Sequence, residues 1–147
     1  VVEVNASQKA RMVSKIRTAL GGSEADKTIA VLGLTFKPGT DDMRDAPSLA
    51  ILPALADKGA IIRAHDPQGM NEARKELGDT IAYVDSIAEA VRDADAVVLM
   101  TEWNEYRGLD LAKLKSQMRG NVFVDLRNVY EQDLMQRHGF EYSCVGR

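Results

Sequence analysis

The sequence predicts an α/β fold: a doubly wound, mainly parallel sheet of about six strands, with helices on both faces and one helix in front. Three observations predict it. Short apolar, β-branched runs recur along the chain, bounded by Gly, Pro or Asp. Helical segments of about ten residues separate them, the spacing that βαβ units require. The runs are nearly continuous rather than alternating, as in strands buried on both faces.

Val4 to Leu20 reads as a helix. Met12, Val13, Ile16, Ala19 and Leu20 recur at helical spacing, with Lys9, Arg11, Lys15 and Arg17 opposite. Gly21-Gly22 stops it. The pattern is at full strength from the first residues and no initiator Met precedes it, so the chain is expected to be a piece of something longer. "TIAVLG" (28–33) reads as a buried strand. "PSLAILPALADKG" (47–59) reads as a helix with Pro47 in its first turn and Gly59 as its stop; Pro53 inside it predicts a kink. "AIIRAHD" (60–66) is a second strand, "QGMNEARKELG" (68–78) a polar-faced helix and "TIAYV" (80–84) a short edge strand. After the helix "SIAEAVRDA" (86–94) comes "DAVVLMT" (95–101), the most apolar run and so the best central strand. "LDLAKLKSQMRG" (109–120) and "EQDLMQRHG" (131–139) read as helices, "NVFVDL" (121–126) and "FEYSCVG" (140–146) as strands. The expected division is a leading helix, 1–22, and one domain, 23–147.

A chain of 147 residues can bury a proper core without metal or disulfide support. The net charge of −3 points to neither nucleic acid nor an anionic membrane as partner, so any bound anion must be held by a local site. Cys144 is the single cysteine, which rules out an internal disulfide and fits a reducing, cytoplasmic compartment. No stretch approaches the roughly 20 apolar residues that span a bilayer.

In such sheets ligands bind beyond the carboxyl ends of the strands. "GLTFKPGTDDMRDAP" (33–47) occupies that position after the first strand. Gly33 and Gly39 permit close backbone approach, and Lys37 and Arg44 are cationic donors suited to phosphate. The segment has neither GxGxxG nor GKS/GKT spacing. Two readings stand with equal weight: a phosphate site, or a solvated loop in which Asp41, Asp42 and Asp45 neutralise the two cations. Asp66 could bind a ribose hydroxyl or, before Pro67, form a turn; the turn is the stronger reading. Arg127-Asn128 sits where a second contact to the same ligand would come from, or Arg127 pairs with Glu131 on the surface. Trp103 and Tyr106 could stack on a base, but packing under loops is favoured. His65 and His138 lack partners at ligand spacing, so no metal is expected. Cys144 reads as a buried inert thiol.

"GLTFKPGTDDMRDAPSLAIL", "AHDP", "TEWNEYRGLDL" and "VFVDLRNVY", in that order, make the chain resemble the carboxyl-terminal domain of the nucleotide-sugar dehydrogenases, most of all the branch that oxidises UDP-glucose. The resemblance extends to the ending "GFEYSCVGR", and the leading helix resembles the end of the long helix joining the two halves of these enzymes. It implies a Rossmann-like UDP-binding domain. It also implies a missing amino-terminal domain that holds most of the NAD, a UDP-sugar ligand and a homodimer through the central helix. Such enzymes oxidise the sugar C6 hydroxymethyl group to a carboxylate with two NAD per turnover, through a catalytic Cys in a Gly-Gly-Pro-Cys-Phe-like motif. That motif is absent here, and Cys144 does not match it, so no catalytic residue is expected. By the resemblance Phe36 and Lys37 contact the UDP-sugar, Arg127 belongs to the substrate site and Arg44 reaches towards NAD. The alternatives are the same domain of a GDP-mannose or UDP-N-acetylhexosamine dehydrogenase, or a non-catalytic nucleotide-binding or dimerisation module.

Overall fold

The structure, a computed structural model, describes residues 6–35, 39, 43 and 46–144. Helix α1 (Ala6–Ala19) leads into β1 (Thr28–Leu32), α2 (Ser48–Asp57), β2 (Ile61–His65), α3 (Met70–Leu77) and β3 (Ala82–Tyr83). The second half runs α4 (Ile87–Val91), β4 (Ala96–Leu99), α5 (Asn104–Arg107), α6 (Leu111–Gln117), β5 (Val122–Asp125), α7 (Gln132–Arg137) and β6 (Glu141–Cys144). The six strands are all parallel, in the order β3-β2-β1-β4-β5-β6. The expected doubly wound sheet is present, and the run 95–101 does supply a central strand, β4, paired with β1 from Ile29↔Ala96 to Leu32↔Leu99.

The near-continuous apolar runs have a direct cause: both faces of each central strand are buried. Ile29, Val31, Ala96, Val98, Val122 and Val124 face one core, with α1, α2 and α3. Ala30, Leu32, Val97, Leu99 and Phe123 face the other, with α4, α6 and α7. Phe123 anchors the second core by edge contacts with Tyr130 and Phe140. Each fully buried large side chain contributes about 1.5–3 kcal/mol.

The apolar stripe of α1 is used inside the molecule. Ile16 is fully buried, and Met12, Val13, Ala19 and Leu20 pack on the first core. Gly22 N donates to Arg17 O at 2.9 Å with φ 101°, a left-handed helix end that glycine adopts without strain. Arg17 then fixes α1 to the following turn through two hydrogen bonds of 2.8 Å to the buried carboxylate of Glu24.

Two local features differ from the sequence reading. Pro47 precedes α2 rather than lying within it, although its dihedral angles are helical and its carbonyl accepts from Ile51 N. Helix α2 continues through half-buried Pro53, with the buried side chains Ile51, Leu52 and Leu55 around it. Between the expected strand 95–101 and the expected helix 109–120 lies α5, whose Tyr106 is fully buried.

Candidate functional site at the carboxyl ends of the strands

The strand order reverses direction between β1 and β4, so the crossovers that follow these two strands diverge. A crevice at such a point is where ligands of this fold class are held. The structure has a depression there of about 390 Å³, lined by Gly39 from the β1 crossover and by Glu102, Trp103, Asn104 and Glu105 after β4.

Both ends of the β1 crossover are fixed by buried polar contacts. Leu34 N and Thr35 N donate to Asp66 Oδ2 at 2.8 and 3.2 Å. Ser48 Oγ donates to Leu34 O at 2.6 Å, and Thr101 Oγ1 to Thr35 O at 2.7 Å. At the far end Met43 and Ala46 are buried in the first core. Gly33 is required by packing. A Cβ there would lie 2.5 Å from Thr101 Cβ, and its φ is 98°. The close approach expected at Gly33 is therefore to Thr101. Gly39 borders the depression, and a Cβ on it would meet nothing within 4 Å.

Asp66 is a structural carboxylate. Besides the β1 crossover it accepts from Gln68 N at 2.9 Å and Gly69 N at 2.7 Å, so both oxygens are engaged, and the residue is buried. The turn-forming reading holds. The ribose reading does not, because no oxygen is left for a sugar hydroxyl.

Asp125 does the same after β5 and was not foreseen. Its Oδ1 accepts from Arg127 N at 3.0 Å, and its Oδ2 from Val129 N at 2.8 Å and Tyr130 N at 3.0 Å. Tyr142 places its hydroxyl 2.8 Å from the same Oδ2. This winds "DLRNVY" into a tight turn with Asn128 at φ 55°, a conformation that Asn tolerates better than most residues.

The turn aims Arg127 across to the β4 crossover. Its Nε and Nη2 donate to Glu102 Oε2 and Oε1, the second at 3.0 Å. The partner expected on the surface, Glu131, is not the one used. Tyr130 strengthens the same link: its hydroxyl donates to Tyr106 O and accepts from Leu109 N at 3.2 Å. Tyr106 in turn reaches β2. Its hydroxyl donates to His65 O at 2.9 Å, and His65 Nδ1 lies 2.7 Å from it. The one hydroxyl hydrogen is thus committed to the carbonyl, so Nδ1 carries the ring proton and donates to the oxygen. Burial pushes the His65 imidazole below its ordinary value against the pull of Glu105, Asp66 and Asp85, and pushes the Tyr106 phenol far up.

The sequence-predicted residues therefore divide. Arg127 lies beside the depression through Glu102. Phe36, Lys37 and Arg44, with the carboxylates Asp41, Asp42 and Asp45, fall outside the described residues. Trp103 and Tyr106 pack in the second core, as favoured, although Trp103 also borders the depression. Cys144 is buried. Glu102 and Asp125 were missed; an Asp closing an apolar run before an irregular stretch was the available signal for the second.

Among the described residues, the carboxyl ends of these strands offer no dinucleotide site of the usual Rossmann kind. Gly33 is filled by Thr101, and Asp66, where a ribose-binding acid would stand, is saturated by backbone. The fold and the crevice nevertheless define a Rossmann-like ligand-binding domain. Residues 30–132 match the family described as the UDP-glucose/GDP-mannose dehydrogenase family, UDP binding domain. The chain belongs to that family. It is 49% identical to the UDP-glucose 6-dehydrogenase of Rhizobium meliloti (strain 1021), over 99% of this chain and 33% of that protein. Among solved structures, an NDP-N-acetyl-D-galactosaminuronic acid dehydrogenase from Methanosarcina mazei Go1 superposes with a TM-score of 0.84 and 31% identity, over 95% of this chain and 29% of the other. A UDP-glucose dehydrogenase from Pyrobaculum islandicum gives 0.75 and 32%, over 93% and 29%. The chain thus spans about a third of the length of these relatives.

Proposed function

We propose that this chain is the UDP-sugar-binding domain of an NAD-dependent UDP-glucose 6-dehydrogenase, which converts UDP-glucose to UDP-glucuronate by two hydride transfers. The observation that carries the reading is the depression at the β1/β4 switch point, bordered by Gly39 and by the carboxylate that holds Arg127. Lys37 and Arg127 supply charge to the diphosphate, Phe36 packs against the nucleotide sugar, and Arg44 extends towards NAD held mainly by another domain. Binding energy gathered here, remote from C6, orients the reacting end of the sugar. Closure against the other domain excludes water.

The sulfur chemistry belongs elsewhere. A nucleophilic thiol must be accessible, and Cys144 is buried in β6 with no described ionic partner. The chain alone is expected to bind UDP weakly and to reduce no NAD with UDP-glucose. Titrating the ¹⁵N-labelled chain with UDP, GDP and NAD checks both statements. Shifts centred on Phe36, Lys37, Gly39, Glu102–Glu105 and Arg127, with UDP ahead of GDP, support the reading; no UDP shift at millimolar concentration, or NAD reduction by the chain alone, overturns it. Lys37→Ala, which removes one charge-assisted contact, is expected to weaken UDP about tenfold to a hundredfold.

A second reading within the family has its own support. The superposition on the N-acetylgalactosaminuronate enzyme is tighter than that on the UDP-glucose enzyme, 0.84 against 0.75. The 49% identity to a UDP-glucose enzyme weighs the other way. Competition between UDP-glucose and UDP-N-acetylhexosamines, in a protein carrying the remaining domain, separates them. A homodimer through the leading helix would have to use residues other than Ile16 and its neighbours, which pack inward. The size-exclusion mass of the chain checks it.

A further inference from the structure

A guanidinium has five N–H donors arranged along three edges. Glu102 takes Nε–H and one Nη2–H of Arg127. Arg127 Nη1 makes no hydrogen bond to any described residue. Three donors are thus used by no described residue, two of them on the Nη1–Nη2 edge, and that edge can grip a phosphate with two parallel bonds. Arg127 and Glu102 are each partly exposed, so the pair is reachable from solvent.

We infer that Glu102 is a positioning residue: it occupies one edge of the Arg127 guanidinium and thereby holds the opposite edge ready for the diphosphate of a bound nucleotide. The inference rests on the reading of Arg127 as a diphosphate contact and adds the group that aims it. Both ends of the pair stand on buried supports. Glu102 lies between Thr101, whose hydroxyl is tied to Thr35 O, and buried Trp103. Arg127 N is tied to Asp125 Oδ1. An arginine held by one carboxylate has lost most of its rotamer freedom before the ligand arrives, so less is lost on binding. Glu102 also borders the depression that Gly39 borders, which sets the pair beside the β1 crossover.

Charge alone makes the opposite forecast. A carboxylate close to a diphosphate repels it, so removing Glu102 would tighten binding by Coulomb's law. The sign of the effect therefore decides. UDP is titrated into the chain, Glu102→Ala, Glu102→Gln, Arg127→Ala and the double variant, with the Arg127 Nε–H resonance followed in each. Expected are a loss of about threefold to tenfold in Glu102→Ala, recovery of more than half of it by Glu102→Gln, which keeps an acceptor for Nε–H, and no added loss in the double variant over Arg127→Ala. The Nε–H signal should broaden in Glu102→Ala while the thermal midpoint stays close to that of the parent; a merely structural residue would do the reverse. Unchanged or tighter UDP binding in Glu102→Ala, or a loss that persists without Arg127, overturns the inference and leaves the role of Arg127 standing. If Arg127→Ala binds UDP as the parent does, the reading of Arg127 falls and the inference with it.

Discussion

The two ends of the sheet each carry an arginine bound side-on by a carboxylate, and they use it differently. At the amino ends of the strands Arg119 donates to both oxygens of Asp95, at 3.0 and 2.7 Å. Asp95 also accepts from Thr28 N at 2.8 Å, and Arg119 N and Gly120 N close on Ala94 O. The Arg119 side chain is 58% exposed, over a backbone that is already satisfied. At the carboxyl ends Arg127 is only 29% exposed and Glu102 19%, and their supports are buried carboxylates and tyrosines. One pair trims the edge of a finished structure. The other is the tip of a network, with three guanidinium donors that no described residue uses. An ion pair therefore says little until its surroundings are counted.

The strongest way to break the contrast is to remove a support at the carboxyl end. Asp66→Ala would strand the buried donors Leu34 N, Thr35 N and Gly69 N, and would release the β1 crossover from β2. The expected cost is about 3–5 kcal/mol, near the top of the range for one substitution, read from the shift in urea midpoint. Asp66→Asn should restore only part of it, because the amide brings donors to a place that needs acceptors. A variant of parental stability that lost only ligand binding would return Asp66 to the ribose role rejected above.

The support network explains what could be read in advance. The order of strands and helices was legible because each apolar run is buried on both faces and each helix carries its own period. Asp66 was legible as a turn former because Pro67 follows it. Asp125 does the same work without such a neighbour and reads as the end of a strand. Helix α5 has four residues, too few for a period, and is held by Tyr106 reaching His65. The pairing of Glu102 with Arg127 joins residues 25 apart in sequence and exists only because β4 lies beside β5. Helix–strand order is written locally; which loop meets which is written in the strand order, and a binding site is made of such meetings.

The two ends should also part with pH. His65 is buried and its folded value lies below the ordinary 6.5. Protonation therefore favours the unfolded chain, and stability falls as pH drops below about 6.5 until the folded value is passed. Glu24 and Asp95, held low by hydrogen bonds from Arg17 and Arg119, lose their contributions only further down, below their ordinary 4.5 and 3.8. Urea midpoints between pH 7 and pH 5 should thus report the carboxyl end first. His65→Gln should flatten that limb. A limb unchanged in His65→Gln would assign the loss to other groups and remove the asymmetry between the two ends.

The smallest expected effect is at Arg119. Arg119→Ala takes away the partner of Asp95 and nothing else, since Thr28 N still finds Oδ2 and Gly120 N still finds Ala94 O. An exposed ion pair of this kind is screened by water and salt, so its loss should shift the urea midpoint far less than Asp66→Ala does and leave UDP titration unchanged. The sign with pH is fixed. The pair holds the Asp95 carboxyl below its ordinary 3.8, so its contribution is present above that value and disappears as pH falls through the depressed one. The gap between parent and Arg119→Ala should accordingly be constant at neutral pH, narrow in strong acid and shrink with added salt. A gap as large as that of Asp66→Ala, or one that altered UDP binding at the opposite end of the strands, would show that the two ends are coupled through the sheet and that the amino-end pair does more than trim an edge.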